Sequence, residues 1–323
     1  MTLADKLTVG IYGMMNNAEH SLEDRVFEGS GVSIINPAWK DDAAFQKMLP
    51  DLDGLIVLTT EIDRAAVEKM KKCKVLVRQG LGVDNFDLEA VKERGIQAYN
   101  VPDYCVDEVT THAMTLALML VRNMTYYMSD ISDKVWNSLK APQSARAGEL
   151  TFALAGFGRM AQVVAVKAKP YFKEIAAYDP YMNKDAASRL GVRVVDTLED
   201  LLRTADVLSI HIPLTDATRH MFNEERLSLM KPTAYLVNTA RGSLVDGKAL
   251  CRALSEGWIA GAATDVMEIE PPSFDDPLFT LKNLIVTPHA AWRSDAAGRD
   301  LRIFAAQTMR KALLEGEAPN RVL

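Results

Sequence analysis

The sequence predicts an α/β protein built from two doubly wound parallel-sheet domains. Short apolar runs alternate with helical patterns along nearly the whole chain, which is typical of parallel strands joined by crossover helices. At 323 residues the chain is too long for one typical core and suits two domains. A glycine-rich turn at 156–158 indicates that one of the two domains binds a nucleotide.

The first predicted domain is a partner domain without a phosphate-binding turn. Apolar runs at 7–12, 32–35, 54–58, 75–77 and 96–99 predict its strands, and the glycines at 10 and 13 lack the spacing of a nucleotide fingerprint. A helical pattern at 295–314 can return to this domain after the last strand of the other. We therefore predict a substrate domain from 1–102 and 295–323, with a cofactor domain from 103–294 inserted into it.

The cofactor prediction depends on the segment from Thr151 to Asp179. An apolar run leads into Gly156 and Gly158, which allow a tight turn whose backbone amides can approach a phosphate, and a helix begins at about Arg159. The third small residue is Ala161, which still lets helix and strand pack closely. Asp179 lies 21 residues after Gly158, where a carboxylate can accept both ribose hydroxyls and repel a 2′-phosphate. The pattern favours NAD over NADP.

The rest of the cofactor domain supplies further strands and two helical regions. Runs at 192–194, 206–210, 234–238, 259–263 and 284–286 bring its sheet to about six strands. The stretch 103–122 lacks Pro and Gly and predicts a long buried helix, in which we interpret His112 as a satisfied core histidine rather than a catalytic one. Residues 125–148 are amphipathic and irregular, and this arm, with Trp136, is the expected contact of a homodimer.

Composition excludes several classes of function. Hydrophobic residues are 48% and charged residues 25% of the chain, which is typical of a globular protein, and the net charge of −6 argues against a nucleic-acid partner. Cys73, Cys105 and Cys251 show no metal-ligand spacing, so we expect no metal and a reducing compartment. The first six residues show no leader pattern and no apolar segment reaches 18 residues, so we expect a cytoplasmic protein without a membrane partner.

Three ionisable side chains follow predicted strands, at the edge of the sheet where ligands bind in open α/β folds. Arg241 suits a 2-keto acid because its planar fork binds a carboxylate and polarises a carbonyl. His289 suits proton delivery to the nascent alkoxide. Glu270 can orient this imidazole and favour its protonated form. Taken singly, Arg241 could form a surface ion pair, His289 could cap a helix and Glu270 could be a charged loop residue. Their joint placement favours a catalytic set.

Several segments resemble the D-isomer-specific 2-hydroxyacid dehydrogenases over nearly the whole chain. They are Arg78-Gln-Gly-Leu-Gly-Val-Asp-Asn85, Asn100-Val-Pro-Asp-Tyr104, the glycine-rich turn, His211-Ile-Pro-Leu-Thr215, 238–246, 265–271 and Thr287-Pro-His-Ala-Ala-Trp292. The resemblance implies a Rossmann cofactor domain inserted into a flavodoxin-like substrate domain, and a homodimer. It implies an NAD-dependent oxidoreductase acting on a small D-2-hydroxy acid or 2-keto acid such as glyoxylate or hydroxypyruvate.

The resemblance also implies roles for individual residues. Arg241, Glu270 and His289 match the catalytic set of the family, with Arg241 also binding substrate. Leu81 and Gly82 match its backbone donors to the substrate carboxylate, and Tyr104 a substrate-side residue of some members. The cofactor-binding set comprises Gly156, Gly158, Arg159, Met160, Asp179, His211, Pro213, Thr239 and Asp265, the last as acceptor for the nicotinamide carboxamide.

The choice among branches of the family stays open at this stage. The ending Ala290-Ala-Trp292 differs from the small-residue ending of phosphoglycerate dehydrogenases and argues against the serine pathway. It also resembles the C-terminal binding proteins, which are NADH-sensing interaction proteins. Phosphite dehydrogenases share the Arg, Glu and His set. The sequence does not identify the acid.

Overall fold

The computed structural model describes residues 6–13, 21–38 and 41–323. The described chain divides into two compact units, one from within 1–105 together with 293–323, the other from 106–292. Residues 1–5, on which the expectation about a leader largely depends, lie outside the described residues. The functional labels given to the predicted domains 1–102 with 295–323 and 103–294 stay predictions.

The first unit contains a five-stranded parallel sheet within its described residues. Numbered along the chain, the strands are β1 (Thr8–Tyr12), β2 (Ser33–Ile35), β3 (Gly54–Val57), β4 (Val75–Arg78) and β5 (Gln97–Tyr99). They lie in the order β2-β1-β3-β4-β5, which is the flavodoxin-like order. Its helices are α1 (Ser21–Phe27), α2 (Asp42–Met48), α3 (Arg64–Lys69), α4 (Leu88–Glu93) and α12 (Asp295–Glu315).

Aspartate caps explain where three of these helices begin. The side chains of Asp41, Asp63 and Asp87 each accept a hydrogen bond from a backbone amide three residues later, which satisfies a donor that the first helical turn leaves unpaired.

Helix α12 returns to the first unit after the whole second unit has intervened in the chain. It packs on α1, β3 and β4. Arg302 on α12 donates to both carboxylate oxygens of Glu23 on α1, at 2.7 and 2.6 Å. Glu23 is fully buried and the Arg302 side chain is 22% exposed. The two-pronged pair therefore fastens α12 to α1 with little access to water.

We expect Glu23→Ala to destabilise the first unit by about 3 kcal/mol, because the change removes the carboxylate that binds a largely buried guanidinium at two points. Native-state hydrogen exchange of amides in α1 and α12 measures this loss. Glu93→Ala is the matched control, since its pair with Arg64 has the same 2.6 Å separation but both side chains are exposed. Equal protection in the two variants would contradict the prediction.

The second unit contains a seven-stranded parallel sheet in the described chain. The strands are β6 (Thr151–Ala155), β7 (Glu174–Tyr178), β8 (Arg193–Val194), β9 (Val207–Ile210), β10 (Tyr235–Asn238), β11 (Gly261–Thr264) and β12 (Leu284–Val286). They lie in the order β12-β11-β10-β9-β6-β7-β8. This is the Rossmann order with one strand added at the edge, and it confirms the predicted fold class.

Helices of the second unit cover the sheet with apolar clusters that include its strand residues. They are α5 (Val106–Val121), α6 (Met124–Ser132), α7 (Arg159–Ala168), α8 (Lys184–Arg189), α9 (Leu198–Thr204), α10 (Glu224–Leu227) and α11 (Gly247–Ser255). The strands β6, β9 and β11 are almost wholly buried, which explains why they appear as continuous apolar runs rather than alternating ones. None of the helices in the described part of the chain has the length and apolar character needed to cross a bilayer.

Residues 125–148 are more ordered than the sequence indicates. Helix α6 covers 124–132, and a short 3₁₀ helix covers 147–149. The prediction of an irregular segment is therefore wrong for its first third and holds for much of 133–146. The side chains of Trp136 and Leu139 are 93% and 90% exposed.

Strand register brings the candidate site residues to one edge of the second sheet. Ala155, the last residue of β6, pairs with Tyr178 of β7 and with Ile210 of β9. Asn238, Thr264 and Val286 pair in the same way across β10, β11 and β12. The residues that follow these strands therefore share the carboxyl edge, where the order of the strands reverses at β6.

Candidate active site

The glycine-rich turn has the backbone that its sequence predicts. Gly156 has φ +92°, and a Cβ there would lie 2.5 Å from the carbonyl oxygen of His211, so only glycine fits. Gly158 precedes α7, and a Cβ added to it would meet no atom within 4 Å. The space at Gly158 is therefore free beside the N-terminus of a ten-residue helix, where the amides and the helix dipole favour a pyrophosphate.

Asp179 holds this turn through both of its carboxylate oxygens. One carboxylate oxygen accepts from the amide of Phe157 at 2.7 Å and the other from the amide of Tyr181 at 2.7 Å. Each oxygen has a second lone pair, so the carboxylate can still accept from ribose hydroxyls. The two amides thus fix the orientation of the carboxylate, and its role against a 2′-phosphate stays a prediction.

The loops after β9 and β10 lie at the same sheet edge as the glycine-rich turn and Asp179. We call these four parts together the nucleotide cradle. Burial lowers the pKa of His211 to about 4, so its ring is neutral, and its Nε2 pairs with the Ser209 hydroxyl at 2.9 Å. Thr239 Oγ1 is buried and makes no hydrogen bond with the described chain. An unpartnered buried hydroxyl is costly unless a ligand satisfies it. With the free space at Gly158, this supports the fit of the residues to a dinucleotide.

Arg241 follows β10 in a turn that a buried asparagine organises. Asn238 donates from its side-chain amide to the carbonyl of Arg241 at 2.9 Å and accepts from the amide of Ala240 at 3.0 Å. A Cβ on Gly242 would lie 2.0 Å from the carbonyl of Met267, so the backbone after Arg241 touches the loop that carries Glu270. This close contact between backbones fixes the position of one loop relative to the other.

Glu270 and His289 form the pair that the sequence predicts. Glu270 Oε2 and His289 Nδ1 are 2.6 Å apart, and Glu270 Oε1 accepts from the amide of Met267 at 2.8 Å. Burial raises the pKa of Glu270, but the hydrogen bonds from His289 and Met267 and the charge of Arg241 outweigh it, so the net pKa lies below the ordinary value. Glu270 is therefore an anion at neutral pH, and it accepts from Nδ1–H. The other nitrogen, Nε2, is the one left to exchange a proton with a ligand.

Asp265 is almost fully buried, and its carboxylate binds its own chain. Oδ1 accepts from the Thr287 hydroxyl at 2.5 Å and from the Ala290 amide at 2.9 Å, and Oδ2 accepts from the Ala291 amide at 2.8 Å. Oδ2 keeps one lone pair for a further donor. Its predicted contact with a nicotinamide carboxamide stays a prediction.

Sequence reasoning did not find a second histidine–carboxylate pair in the same unit. His220 Nε2 lies 2.6 Å from Glu268 Oε1, two residues before Glu270. The amide of His220 donates to the carbonyl of Ser243, close to Gly242 in the chain. The pair thus braces the Glu270 loop against the segment that follows Arg241. Nothing in the spacing of His220 and Glu268, 48 residues apart, indicates the contact.

The remaining predicted substrate residues belong to the first unit. Leu81 and Gly82 follow β4, and the side chain of Asn100 donates to the carbonyl of Leu81 at 2.7 Å, which fixes the turn. Leu81 is 44% exposed and Tyr104 is partly buried. In the second unit Arg159 and Met160 begin α7, and Pro213 is exposed with its carbonyl accepting from Thr218.

The fold and the glycine-rich turn define a dinucleotide-binding protein of the Rossmann class. The sequence profile of the family "D-isomer specific 2-hydroxyacid dehydrogenase, NAD binding domain" matches residues 114–291. The chain belongs to the D-isomer specific 2-hydroxyacid dehydrogenase family, which confirms the resemblance and the NAD assignment.

Relatives and solved structures agree with this membership. The chain is 39% identical over 276 residues to the D-3-phosphoglycerate dehydrogenase of Methanocaldococcus jannaschii, covering 85% of this chain and 52% of that protein, so it spans about half of that relative's length. It is 36% identical over 290 residues to the glyoxylate reductase of Korarchaeum cryptofilum, covering 87% of each. The structure of the D-lactate dehydrogenase from Aquifex aeolicus complexed with NAD and lactic acid matches with a TM-score of 0.85 at 25% identity, covering 98% of both chains.

Proposed function

We propose that the protein transfers a hydride between NAD(H) and a small D-2-hydroxy acid or its 2-keto acid, with glyoxylate and hydroxypyruvate as the first candidates. The observation that carries the proposal is the 2.6 Å pair of Glu270 and His289, on the same sheet edge as Arg241. Glyoxylate is favoured because the relative from Korarchaeum cryptofilum, similar over 87% of both chains, is named for it.

The side chains divide the reduction of a keto acid among them. The Arg241 guanidinium binds the carboxylate and draws electron density from the carbonyl oxygen. His289 Nε2–H gives its proton to the oxygen as the alkoxide forms, while Nδ1–H keeps donating its hydrogen bond to the Glu270 carboxylate, whose negative charge stabilises the imidazolium before the transfer. In the oxidation direction the neutral ring removes this proton. NAD(H), when bound, supplies or accepts the hydride.

The residues that would hold the dinucleotide follow from the cradle. The amides at the start of α7, which begins with Arg159 and Met160, would receive the pyrophosphate, and Asp179 the adenosine ribose. The Thr239 hydroxyl and the free lone pair on Asp265 would pair with polar groups of the cofactor. His211 and Pro213 would line the same loop edge. Leu81 and Gly82 would donate backbone amides to a carboxylate, and Tyr104 would be a substrate-side residue.

A substrate panel tests the proposed function. Purified protein with NADH is offered glyoxylate, hydroxypyruvate, pyruvate and longer 2-keto acids, and with NAD it is offered D-3-phosphoglycerate and phosphite. We expect NADH oxidation with at least one small 2-keto acid. Absence of turnover with every keto acid would contradict the proposal, and turnover of phosphite alone would move the assignment to that branch.

We predict that Asp179→Ala narrows the preference for NAD over NADP. The change removes both the ribose acceptor and the charge that repels a 2′-phosphate. The effect should appear mostly in KM, because the adenosine end binds equally in the ground and transition states. Steady-state kinetics with both cofactors measure it, with Asp185→Ala, on α8, as a control for lost surface charge. A wild-type preference for NADPH would contradict the assignment.

We further propose a homodimer that forms through the arm at 125–148. Its exposed apolar side chains, which α6 and the following loop present, are Met128, Ile131, Trp136 and Leu139. Light scattering should give twice the mass of 35.7 kDa, and Trp136→Ser should weaken the assembly. Phe274→Ser, which changes an exposed aromatic side chain outside the arm, should not. A monomer mass for the wild-type protein would refute this proposal.

We place the protein in the cytoplasm as part of the same proposal. Its three cysteines are free, as a reducing compartment favours. Fractionation of cells that express the tagged chain tests this placement.

A further inference from the structure

His289 has a backbone conformation that needs support from its surroundings. Its φ is +52°, in the left-handed region that side chains other than glycine seldom adopt. Such conformations persist where neighbouring contacts determine them, and they concentrate at functional sites. The contacts that hold this residue are therefore relevant to where Nε2 points.

Those contacts converge on Asp265. The amide of His289 donates to the backbone carbonyl of Asp265 at 2.7 Å and lies 3.0 Å from that of Thr287. The carboxylate of the same aspartate accepts the amides of Ala290 and Ala291. One residue at the end of β11 thus fixes the chain at three consecutive amides, beginning with that of His289.

Thr287 and His112 extend this arrangement to helix α5. Thr287 Oγ1 lies 2.5 Å from Asp265 Oδ1 and 3.0 Å from His112 Nε2. A carboxylate oxygen can only accept a hydrogen bond, so the Thr287 hydroxyl donates its single hydrogen to Asp265. The hydroxyl oxygen must then accept a hydrogen bond from His112 Nε2–H. The direction of both hydrogen bonds is therefore determined, and His112 acts as the donor at the outer end of the chain of contacts.

We propose that His112 and Thr287 are positioning residues for the proton transfer of His289, acting through Asp265. The expected loss of kcat rests on the proposed function. The expected loosening of the 287–291 loop rests on the geometry alone. His112 does not fit a passive core role, because its side chain is 25% exposed and its ring nitrogen is committed to the residue two positions before His289. Its hydrogen bond links the longest helix of the second unit to the loop that carries the acid/base group.

Two matched pairs of variants test the proposal. Thr287→Val keeps the shape but removes the hydroxyl, and Thr287→Ser keeps the hydroxyl. His112→Leu removes the donor, and His112→Gln restores an N–H at a similar reach. Each protein is assayed for kcat and KM with the best keto acid from the panel. Hydrogen exchange of the 287–291 amides is measured in the same samples.

We expect Thr287→Val and His112→Leu to lower kcat by up to about 100-fold with little change in KM for NADH, because a misplaced reacting group costs this much even when binding is intact. Exchange at 287–291 should be faster in both. Thr287→Ser and His112→Gln should recover most of the loss. Wild-type kcat in Thr287→Val, or an equal loss without rescue in the conservative partners, would overturn the proposal.

The exchange measurement separates this inference from the proposed function. If the wild-type protein turns over no keto acid, the proposed function is wrong. The exchange data then still show whether the Thr287 hydroxyl and the His112 ring hold the 287–291 loop. Unchanged exchange in both disrupting variants would overturn the positioning role whatever the substrate. A variant that unfolds is recognised by faster exchange throughout 106–292. In that case the disrupting variant of the other pair tests the positioning role.

Discussion

His289→Gln is expected to lower kcat for keto-acid reduction by a factor of about 10² to 10⁴, the usual span for general acid catalysis. Glutamine has a similar polar reach but cannot deliver a proton at neutral pH. NADH affinity, measured by fluorescence titration, should stay nearly unchanged because the ring contributes no predicted contact to the dinucleotide. His220→Gln is the comparison, since that histidine also pairs with a glutamate and braces the Glu270 loop but lies outside the proton path, so its loss of kcat should be much smaller. Full kcat in His289→Gln would remove the proton-transfer assignment.

The pH dependence of the same step follows from the charges of the pair. The pKa of Glu270 lies below its ordinary value, so its carboxylate is ionised throughout the neutral range and loses its charge only on strong acidification. Reduction needs protonated imidazole and should decline as pH rises, whereas oxidation needs the neutral ring and should decline as pH falls. Glu270→Gln removes the anion that accepts from Nδ1–H, so kcat for reduction should fall while NADH affinity is retained. Wild-type kcat in Glu270→Gln would contradict the role of Glu270.

Arg241→Gln is expected to lower kcat/KM by roughly 10² to 10³, as removal of one charge-stabilising donor does at other enzymes. The change removes both the partner of the substrate carboxylate and the charge that polarises the carbonyl. Arg241→Lys separates the two effects, because it keeps the charge and loses the planar fork. We expect the lysine variant to recover only part of the activity. Kinetics with glyoxylate measure both variants, and wild-type kcat/KM in Arg241→Gln would exclude the residue from the site.

The two-sheet fold was predictable from the sequence because buried parallel strands appear as continuous apolar runs. The ends of strands were less accurate. The run at 259–263 starts two residues before β11, since Ile259 is buried in the core without belonging to the strand. Apolar character reports burial, and strand pairing depends on the neighbouring strand. Helix α6 was missed because it is short and its apolar side chains Met128 and Ile131 face solvent, which weakens the periodic signal.

For the site, the sequence could predict residue types at strand ends but not the contacts that orient them. Arg241, Glu270 and His289 were predictable because parallel strands end at one edge of the sheet. The left-handed backbone of His289, the inward hydrogen bonds of Asp265 and the pairing of His220 with Glu268 depend on turn geometry. None of these features leaves a pattern in spacing or hydrophobicity, so His112 was interpreted only as part of a helix core.

The buried pair of Glu23 and Arg302 has a consequence for the order in which the chain acquires its structure on the ribosome. The second unit is continuous in sequence, so all of its strands are available once residue 292 has left the exit tunnel. The first unit cannot complete its fold until α12 has been synthesised, because α12 supplies the packing on β3 and β4 and the counter-ion for Glu23. We expect the N-terminal segment to remain incomplete, with exposed apolar strands and an unpaired acid, while the inserted unit is already folded. The nascent segment is therefore the part of the molecule most in need of protection by chaperones during synthesis.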